Sequence, residues 1–510
     1  MLSKSKSKFF NDEGLLDSKY YIWFFLMLIK AVQVTAFPNL KTLDFAFAGF
    51  WLFHIVMNLS RPREMIFWFM AGYFTNILHW FTDFAFIKAG GSRILLLDVF
   101  LLIFLGMMIL QFIYQRKYTG LPLGFLFAIL TVFWGFNLVR GILDGGGGYV
   151  IGEGRFYFAS VLLLGIVNTF SYAPEESYRK IIKIITLCSI NVIFYTIMIA
   201  IIGPAKGDAE LVRRFNPGNG LAQILLFGML VAILDFTYGK NEHILKYNKV
   251  AMIGAYLGII FIAGVRGILV VTALMFLYFM VISQKLSLGR KVGIVGGMLF
   301  LALIAVQLPP VQKVLATQME YISIMKGEGD KHAKTTSDFR AAMWAIFWEK
   351  LTEDEVRMLT GRPFGLELID ISSLNWNKRA ENTLIDNSLA HNDYLAMSMT
   401  NGMVFTGLLL LVIIIYIVMA FSKAKRIKEY PLPYFLLFFG WCLFSQLFQS
   451  GTNAEIKHFG WSVCLWVFLG VLGSLYNYLN IKEKEWKNQK YPSSHPHGIK
   501  EPSSKKPLKV

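Results

Sequence analysis

"AHNDYLAMSMTNGMVFTGLLLLVIIIY", residues 390–416, decides the fold. It opens on His391, Asn392 and Asp393, and beyond Gly402 it is almost pure hydrocarbon, with no proline between the two halves. An apolar run of this kind reads as a membrane helix, which needs about 20 residues to cross. Partnerless polar groups are expensive at such a boundary, so the polar half is a candidate for function. The rest of the chain agrees with a membrane setting. Of its 510 residues 55% are hydrophobic, 15% aromatic and 16% charged, against roughly 25% charged in a soluble domain, and the mean hydropathy is +0.51.

On the length yardstick of a spanning helix the sequence holds about fourteen candidate spans. They cover roughly 20–37, 45–60, 65–87, 94–114, 121–139, 156–173, 181–203, 220–237, 249–265, 267–284, 292–308, 402–422, 433–450 and 459–478. The apolar runs are continuous rather than alternating, which excludes a membrane β-barrel. The expected fold is therefore an all-α polytopic membrane helix bundle. The first span follows a charged stretch and lacks a small-residue cleavage pattern, so it reads as a retained helix rather than a signal peptide. Cys188, Cys442 and Cys464 all fall in apolar spans and predict no disulfide.

The formal net charge of +17 sits mostly between spans and acts first as a topology signal rather than as a nucleic-acid footprint. "RPRE", "QRKY", "RKIIK", "KNEHILKYNK", "KLSLGRK" and "KAKRIK" each follow an even-numbered span. Positive charge marks the cytoplasmic side, so both termini are expected there. The division is then 1–18 as a cytoplasmic segment, 19–308 as the first eleven spans, and 309–401 as one large extracytoplasmic loop. Residues 402–478 hold the last three spans, and 479–510 read as a basic disordered cytoplasmic tail.

Some arginines run against this bias. Arg140 and Arg155 bracket "GILDGGGGYVIGEG", Arg213 and Arg214 follow span seven, and Arg266 joins spans nine and ten. Singly such residues snorkel or pair with acids; several on one face suit an anionic ligand. "DGGGG" lacks the Gly-Lys-Ser/Thr of a phosphate loop and reads as a flexible outer loop. Lys30 and Asp98, charges within apolar runs, read as structural. In the large loop, "TTSDFRAAMWAIFWEKLTEDE" has helical period, with Ser337 as N-cap and Phe339, Met343, Ile346 and Phe347 on one stripe. "TGRPFGLEL" ends that helix with turn chemistry at Gly361, Pro363 and Gly365. His391 is then placed at the outer surface, where the helix of span twelve begins.

Four segments fall on one face in a fixed order: "RRFNPGNGLAQ", "AGVRGILVV", "FRAAMW" and "HNDYLAMSMTNG". In order and placement they resemble the O-antigen ligase and polymerase family of bacterial surface-polysaccharide glycosyltransferases. That pattern has an Asn-Pro-Asn-like element opening a helix, an Arg-Gly between helices, an Arg with a Trp four residues on, and a His-Asn followed by a glycine. Here these are Asn216 to Asn219, Arg266, Arg340 with Trp344, and His391-Asn392 with Gly402. The chain departs from the pattern at "NPGN", which has an extra glycine, and at Phe405, where the family carries a small residue or tyrosine.

The resemblance implies a GT-C-like membrane glycosyltransferase of the bacterial inner membrane, with its site facing the periplasm. It would transfer or polymerise a glycan from a polyprenyl (undecaprenyl) diphosphate carrier onto an acceptor hydroxyl, in O-antigen or lipopolysaccharide biosynthesis. His391 and Arg266 are the expected catalytic residues, with Arg266, Arg340, Arg214 and Arg213 on the diphosphate and Asn392, Asn219, Tyr394 and Gly402 in support. Preorganised arginines can take up the charge of a diphosphate leaving group without a metal, and histidine titrates where an acceptor hydroxyl needs a base or an orienting bond. No cofactor and no metal is expected; partners are the lipid-linked glycan donor, a glycan or lipid-borne acceptor and membrane lipid, with no nucleic acid. Polymerase is favoured slightly over ligase by the long polar loop. The competing class is a lipid-linked glycan flippase or other secondary transporter, although the sequence shows no internal repeat of the kind transporters carry.

Overall fold

In hydrocarbon every backbone N–H and C=O must be answered within its own segment, so long apolar runs become helices. The computed structural model describes residues 16–37, 40, 42–75, 85–89, 92–115, 119–173, 175–202, 219–263, 266–282, 287–289, 292–293, 296, 344–364, 368–370, 384–386, 392–451 and 459–490. The helices are α1 (Ser18–Ala36), α2 (Thr42–Met57), α3 (Pro62–Phe74), α4 (Leu96–Gln115), α5 (Gly124–Leu143), α6 (Gly147–Phe158), α7 (Val161–Phe170) and α8 (Glu175–Ile202). Then come α9 (Asn219–Tyr238), α10 (Lys249–Ala263) and α11 (Arg266–Leu277), the last running into a π turn, Tyr278–Ile282. The loop contributes α12 (344–352) and α13 (Glu355–Thr360), and the chain ends in α14 (Asp393–Arg426), α15 (Leu432–Ser450) and α16 (Phe459–Lys490).

Among the described residues seven helical stretches are long and apolar enough to cross a membrane: Leu96–Ile113, Gly124–Leu143, Val150–Phe170, Glu175–Met198, Asp393–Arg426, Leu432–Ser450 and Ser462–Lys484. Four shorter apolar helices, Thr42–Met57, Ala222–Tyr238, Lys249–Ile260 and Gly267–Met280, accompany them. The protein is a helical membrane protein. Eleven of the stretches read as spans from sequence overlap these helices; of the other three, 20–37 falls in α1, 65–87 is helical only to Phe74, and most of 292–308 lies outside the described residues.

Four local expectations are corrected. The third span does not continue as helix to 87: α3 ends at Phe74, and β1 (Ala85–Ala89) pairs antiparallel with β2 (Ser92–Leu95), Ala89 opposite Ser92. Only Gly90 and Gly91 separate those partners, the spacing of a tight hairpin. A second pair, β3 (Leu368–Asp370) with β4 (Leu384–Asp386), lies in the large loop, so the fold is helical without being strictly all-α. The glycine-rich stretch after α5 is not an extended flexible loop, because α6 starts at Gly147. Nor does disorder begin at 479: α16 continues to Lys490, and Lys482 and Glu483 pair with Glu175 (2.8 Å) and Lys423 (3.4 Å).

The described contacts between helix ends fit an up-and-down alternation. At one end, which carries several basic segments, Glu64 before α3's apolar run takes Lys180 of α8 (2.7 Å) and the Tyr20 hydroxyl of α1 (3.0 Å). Arg179 reaches Glu242 beyond α9 (3.4 Å), and Asn477 of α16 donates to the Gly120 carbonyl before α5 (2.8 Å). Glu64, Arg179, Lys180 and Glu242 belong to the basic segments "RPRE", "RKIIK" and "KNEHILKYNK". At the opposite end Arg155 of α6 pairs with Asp98 of α4 (2.9 Å), and Lys30 of α1 with Asp44 of α2. Both pairs are internal, as a structural reading of Lys30 and Asp98 requires.

Burial sorts the helices by depth. In α15 and α16, 83% and 89% of the apolar window is buried, against 28% in α4 and 22% in α5. The last two present Leu102, Phe112, Phe125 and Val132 outward, as lipid-facing helices do. The interior is aromatic: the Trp466 indole donates to the Phe156 carbonyl (2.8 Å) and that of Trp51 to the Trp68 carbonyl (2.8 Å), so these two large rings are buried with their polar atoms answered. Cys188, Cys442 and Cys464 are buried and free.

Candidate functional site

The site is built where the large loop meets the head of α14. Asn392 has extended φ/ψ, and its side chain accepts from the N–H groups of Tyr394 (3.1 Å) and Leu395 (3.2 Å), which makes it the N-cap of the helix. The helix therefore begins at Asp393, two residues after His391. The Tyr394 hydroxyl donates to the Leu447 carbonyl of α15, and Gly451 stands against its ring. Tyr394 thereby ties the head of α14 to the end of α15.

The long helix is broken once. Gly402 has φ 87° and ψ 159°, and a kink follows. A Cβ there would stand 2.2 Å from the Leu359 carbonyl oxygen and 2.6 Å from the Gly361 nitrogen. Gly361, at φ 79°, is the reciprocal case: its Cβ would lie 2.5 Å from the Thr400 carbonyl oxygen. Two backbones touch without intervening side chains, a contact only glycine permits. The glycine that belongs to the polar motif is thus where the loop docks, on the boundary drawn from sequence between loop and span twelve.

Docking continues through residues 360–364. Asn137 of α5, fully buried, donates to the Thr360 carbonyl (2.9 Å), while the Phe364 N–H donates to the Asn137 carbonyl (3.3 Å). Arg362 is 3% exposed and pairs with Glu153 of α6 at 2.7 Å. The Arg362 N–H donates to the Met399 carbonyl (3.3 Å). Arg140 reaches the Gly361 carbonyl (3.4 Å) and stacks over Phe136, its guanidinium 5.1 Å from the ring centre. Glycines in and after α5 serve this contact too: a Cβ would meet the Phe364 carbonyl oxygen at 2.3 Å from Gly141 and at 2.8 Å from Gly146. None of Asn137, Glu153 or Arg362 was singled out from sequence. Their signal is only a polar residue inside an apolar run, an acid within a glycine-rich stretch, and an arginine before a proline.

With the loop so held, α12 lies across the head of α14. Phe347 and Leu351 pack on Leu395, Ala396 and Met399 in a small core of their own, with Trp344, Ile346 and Met358 at its edge. The apolar stripe expected of this helix is present where it is described; Ser337, Phe339 and Met343 lie outside the described residues. Between the two helices runs an open groove of about 490 Å³ lined by Trp344, Ala345, Trp348, Asn392, Tyr394, Leu395 and Ser398. Trp344 comes from the Arg-Trp segment and Asn392 from the His-Asn segment, so two of the four motif segments meet in one groove.

The other named residues divide as follows. His391, Arg340, Arg213 and Arg214 lie outside the described residues. Arg266 opens α11 and Asn219 opens α9, the helix starts expected of them, and no more than their backbone is described. Phe405, where the family pattern carries a smaller residue or tyrosine, is fully buried against Phe156 and Tyr157, with ring centres 6.4 and 5.6 Å away. That position is filled by packing, and a Cβ at Gly407 would meet nothing within 4 Å. Among the described residues no three His, Cys, Asp or Glu side chains gather as a metal set. Compared with known proteins, no protein-family model matches the chain. No curated protein matches it either.

Proposed function

We propose that this chain is a lipid-carrier-dependent membrane glycosyltransferase of the O-antigen ligase and polymerase type, a GT-C-like bundle of about fourteen spans. Its termini are cytoplasmic and its groove faces the periplasm of a bacterial inner membrane. One observation carries the reading: Trp344, four residues after Arg340, and Asn392, immediately after His391, line the same groove. The resemblance joins those two segments in function, and they are far apart in sequence, so their meeting supports a common site.

In this reading the donor is a glycan on polyprenyl diphosphate. Arg266, Arg340, Arg214 and Arg213 neutralise the diphosphate as the glycosidic bond breaks and negative charge grows on the leaving oxygen. His391 removes or orients the acceptor hydroxyl proton. Asn392 caps the helix that follows His391, Tyr394 anchors that helix to α15, and Gly402 lets the loop seat against it. The aromatic wall of Trp344 and Trp348 suits the apolar face of a sugar ring. A chain-extending polymerase fits the open groove better than a ligase does, since a growing glycan has to lie along it.

Purified protein given polyprenyl-diphosphate glycan and acceptor is expected to form product in the presence of chelator, and His391→Ala to stop turnover while donor binding persists. Normal turnover by His391→Ala would end the assignment. Orientation is checked separately. Asp330→Cys and Ala380→Cys should react with an impermeant thiol reagent applied from outside, and Leu286→Cys and Lys425→Cys should not; the opposite pattern would move the groove to the cytoplasm.

A further inference from the structure

Around Leu447, whose carbonyl takes the Tyr394 hydroxyl, α15 ends in polar residues. Ser445, Gln446, Gln449 and Ser450 are all fully buried, in a helix otherwise made mostly of Phe, Leu, Tyr, Trp and Cys. Gln223 of α9, also fully buried, donates to the Ser445 hydroxyl oxygen at 3.3 Å. The Gln449 amide reaches the same oxygen at 3.4 Å. The Ser450 hydroxyl is committed to the Gln446 carbonyl (2.8 Å). Against this, Gln446 makes no side-chain hydrogen bond through either Oε1 or Nε2, and Gln223 Oε1 accepts from nothing, among the described residues. Tyr394, which lines the groove, bonds to the carbonyl of Leu447, the residue after Gln446.

A buried polar group without a partner costs about 1–3 kcal/mol. Polar side chains that serve only to hold helices together repay that cost by pairing across the interface. Gln446 does not. The unanswered atoms also define the chemistry of what would answer them. They include acceptors (Oε1 of Gln223 and of Gln446) and a donor (Nε2 of Gln446). A phosphate or diphosphate presents acceptors alone and leaves the carboxamide oxygens unmet. A sugar hydroxyl both donates and accepts, so neighbouring ring hydroxyls can satisfy a carboxamide through both of its atoms.

We propose that Gln446, Gln223 and Ser445 form a glycan-binding subsite behind Tyr394, which reads the hydroxyls of the sugar carried on the lipid. The identity of that sugar as carrier-linked rests on the transferase reading above. Binding is separable from the arginines: these hold the diphosphate, and the carboxamides hold the sugar. Gln223 closes the "RRFNPGNGLAQ" segment that also carries Arg213 and Arg214, which brings the two functions close along the chain.

The test is thermal unfolding of the full chain in detergent. It is run with polyprenyl-diphosphate glycan extracted from host membranes, and with the same lipid after mild acid has removed the sugar. Wild type is expected to be stabilised more by the glycan-bearing lipid. Gln446→Leu and Gln223→Leu should keep the shift given by the stripped lipid, which reports an intact fold, and lose the increment due to the sugar. Unliganded Gln446→Leu should melt at or above wild type, because an unpaired buried amide is gone. The KM for the glycan donor should rise about tenfold with kcat retained, as expected for the loss of one or two hydrogen bonds. A wild-type protein with no sugar increment, or variants that keep it, would overturn the subsite. So would a Gln446→Leu that melts lower and binds glycan normally, which marks the amide as interhelical glue. A sugar increment that the variants lose, in a wild type that forms no product, would uphold the subsite and end the transferase reading; unaltered KM in Gln446→Leu would do the reverse.

Discussion

At the basic end of the bundle Asp235 is fully buried and accepts from the N–H groups of Glu242 and His243, both at 2.9 Å, and from the hydroxyls of Tyr247 (2.9 Å) and Tyr434 (3.1 Å). At the opposite end Gln446 is equally buried, and its side chain bonds to no described residue. Around Asp235 the loop between α9 and α10 is closed on itself. Tyr430 from the α14–α15 loop donates to Glu242, and burial first, then that carboxylate, raises its phenol. The Tyr247 phenol is raised likewise, by burial and then by Asp235. At the other end polar atoms are held by backbone-to-backbone glycine contacts and by a loop laid across helix heads, and some stay unanswered. The difference separates an end where the chain itself saturates a buried carboxylate from one where a buried carboxamide meets no described partner.

The comparison breaks most visibly at Gly402. Gly402→Ala puts a methyl 2.2 Å from the Leu359 carbonyl oxygen at a positive φ, a backbone region that costs on the order of 1–3 kcal/mol outside glycine before the steric overlap is counted. The loop from Leu359 to Phe364 should undock, transfer activity should vanish, and limited proteolysis should open the chain near 353–364. Gly407→Ala, with open space at its Cβ, is the matched control and should behave as wild type.

At the anchor the expected loss is in stability rather than turnover. Asp235→Ala leaves two N–H groups and two hydroxyls buried without an acceptor, which should destabilise by roughly 3–5 kcal/mol. Turnover per folded molecule should stay near wild type, as detergent unfolding and specific activity together would show. A specific activity lost at full stability would place Asp235 in the site.

A pH effect belongs to the same end. Burial lowers the His243 imidazole to about 3, and its Nδ1 accepts from the Leu245 N–H (3.2 Å). In the unfolded chain histidine titrates at about 6.5. The unfolded state therefore binds the extra proton first as pH falls. The stability due to keeping His243 neutral is full above about 6.5 and is lost as pH drops toward 3, by on the order of a few kcal/mol. Melting temperature should decline across that window, and His243→Gln should flatten the decline. An unchanged slope in the variant would show that the acid sensitivity lies elsewhere.

The smallest effect is expected from the exposed pair at this end. Lys423 and Glu483 lie 3.4 Å apart and are partly solvated, so Lys423→Ala should cost under about 1 kcal/mol and fade with salt. A larger loss would mean that the α14–α16 contact depends on the pair more than its geometry implies.

Much of the fold was legible because membrane helices are decided locally. Apolar length sets each helix, and the placement of basic loops sets the alternation that Glu64–Lys180 and Asp98–Arg155 later express as contacts. Errors fell where a run was apolar yet interrupted, as at Asp83 in the third span, or where helix formers carried on past the hydrocarbon, as in "IKEKEWKNQK". The head of α14 was readable for a similar reason, since an N-cap is a matter of adjacent residues and Asn392 acts on Tyr394 and Leu395.

What the sequence by itself determined is therefore most of the apolar helices and the polar head of α14. Only the tertiary structure decided that Gly361 and Gly402 touch, that Asn137 holds Thr360, that Arg362 is buried on Glu153, and that Gln223 shares the hydroxyl of Ser445. These pairs are separated by 41, 223, 209 and 222 residues. No propensity or period reaches that far, because backbone preferences act within a turn or two, while close approach of two chains depends on how every intervening helix packs.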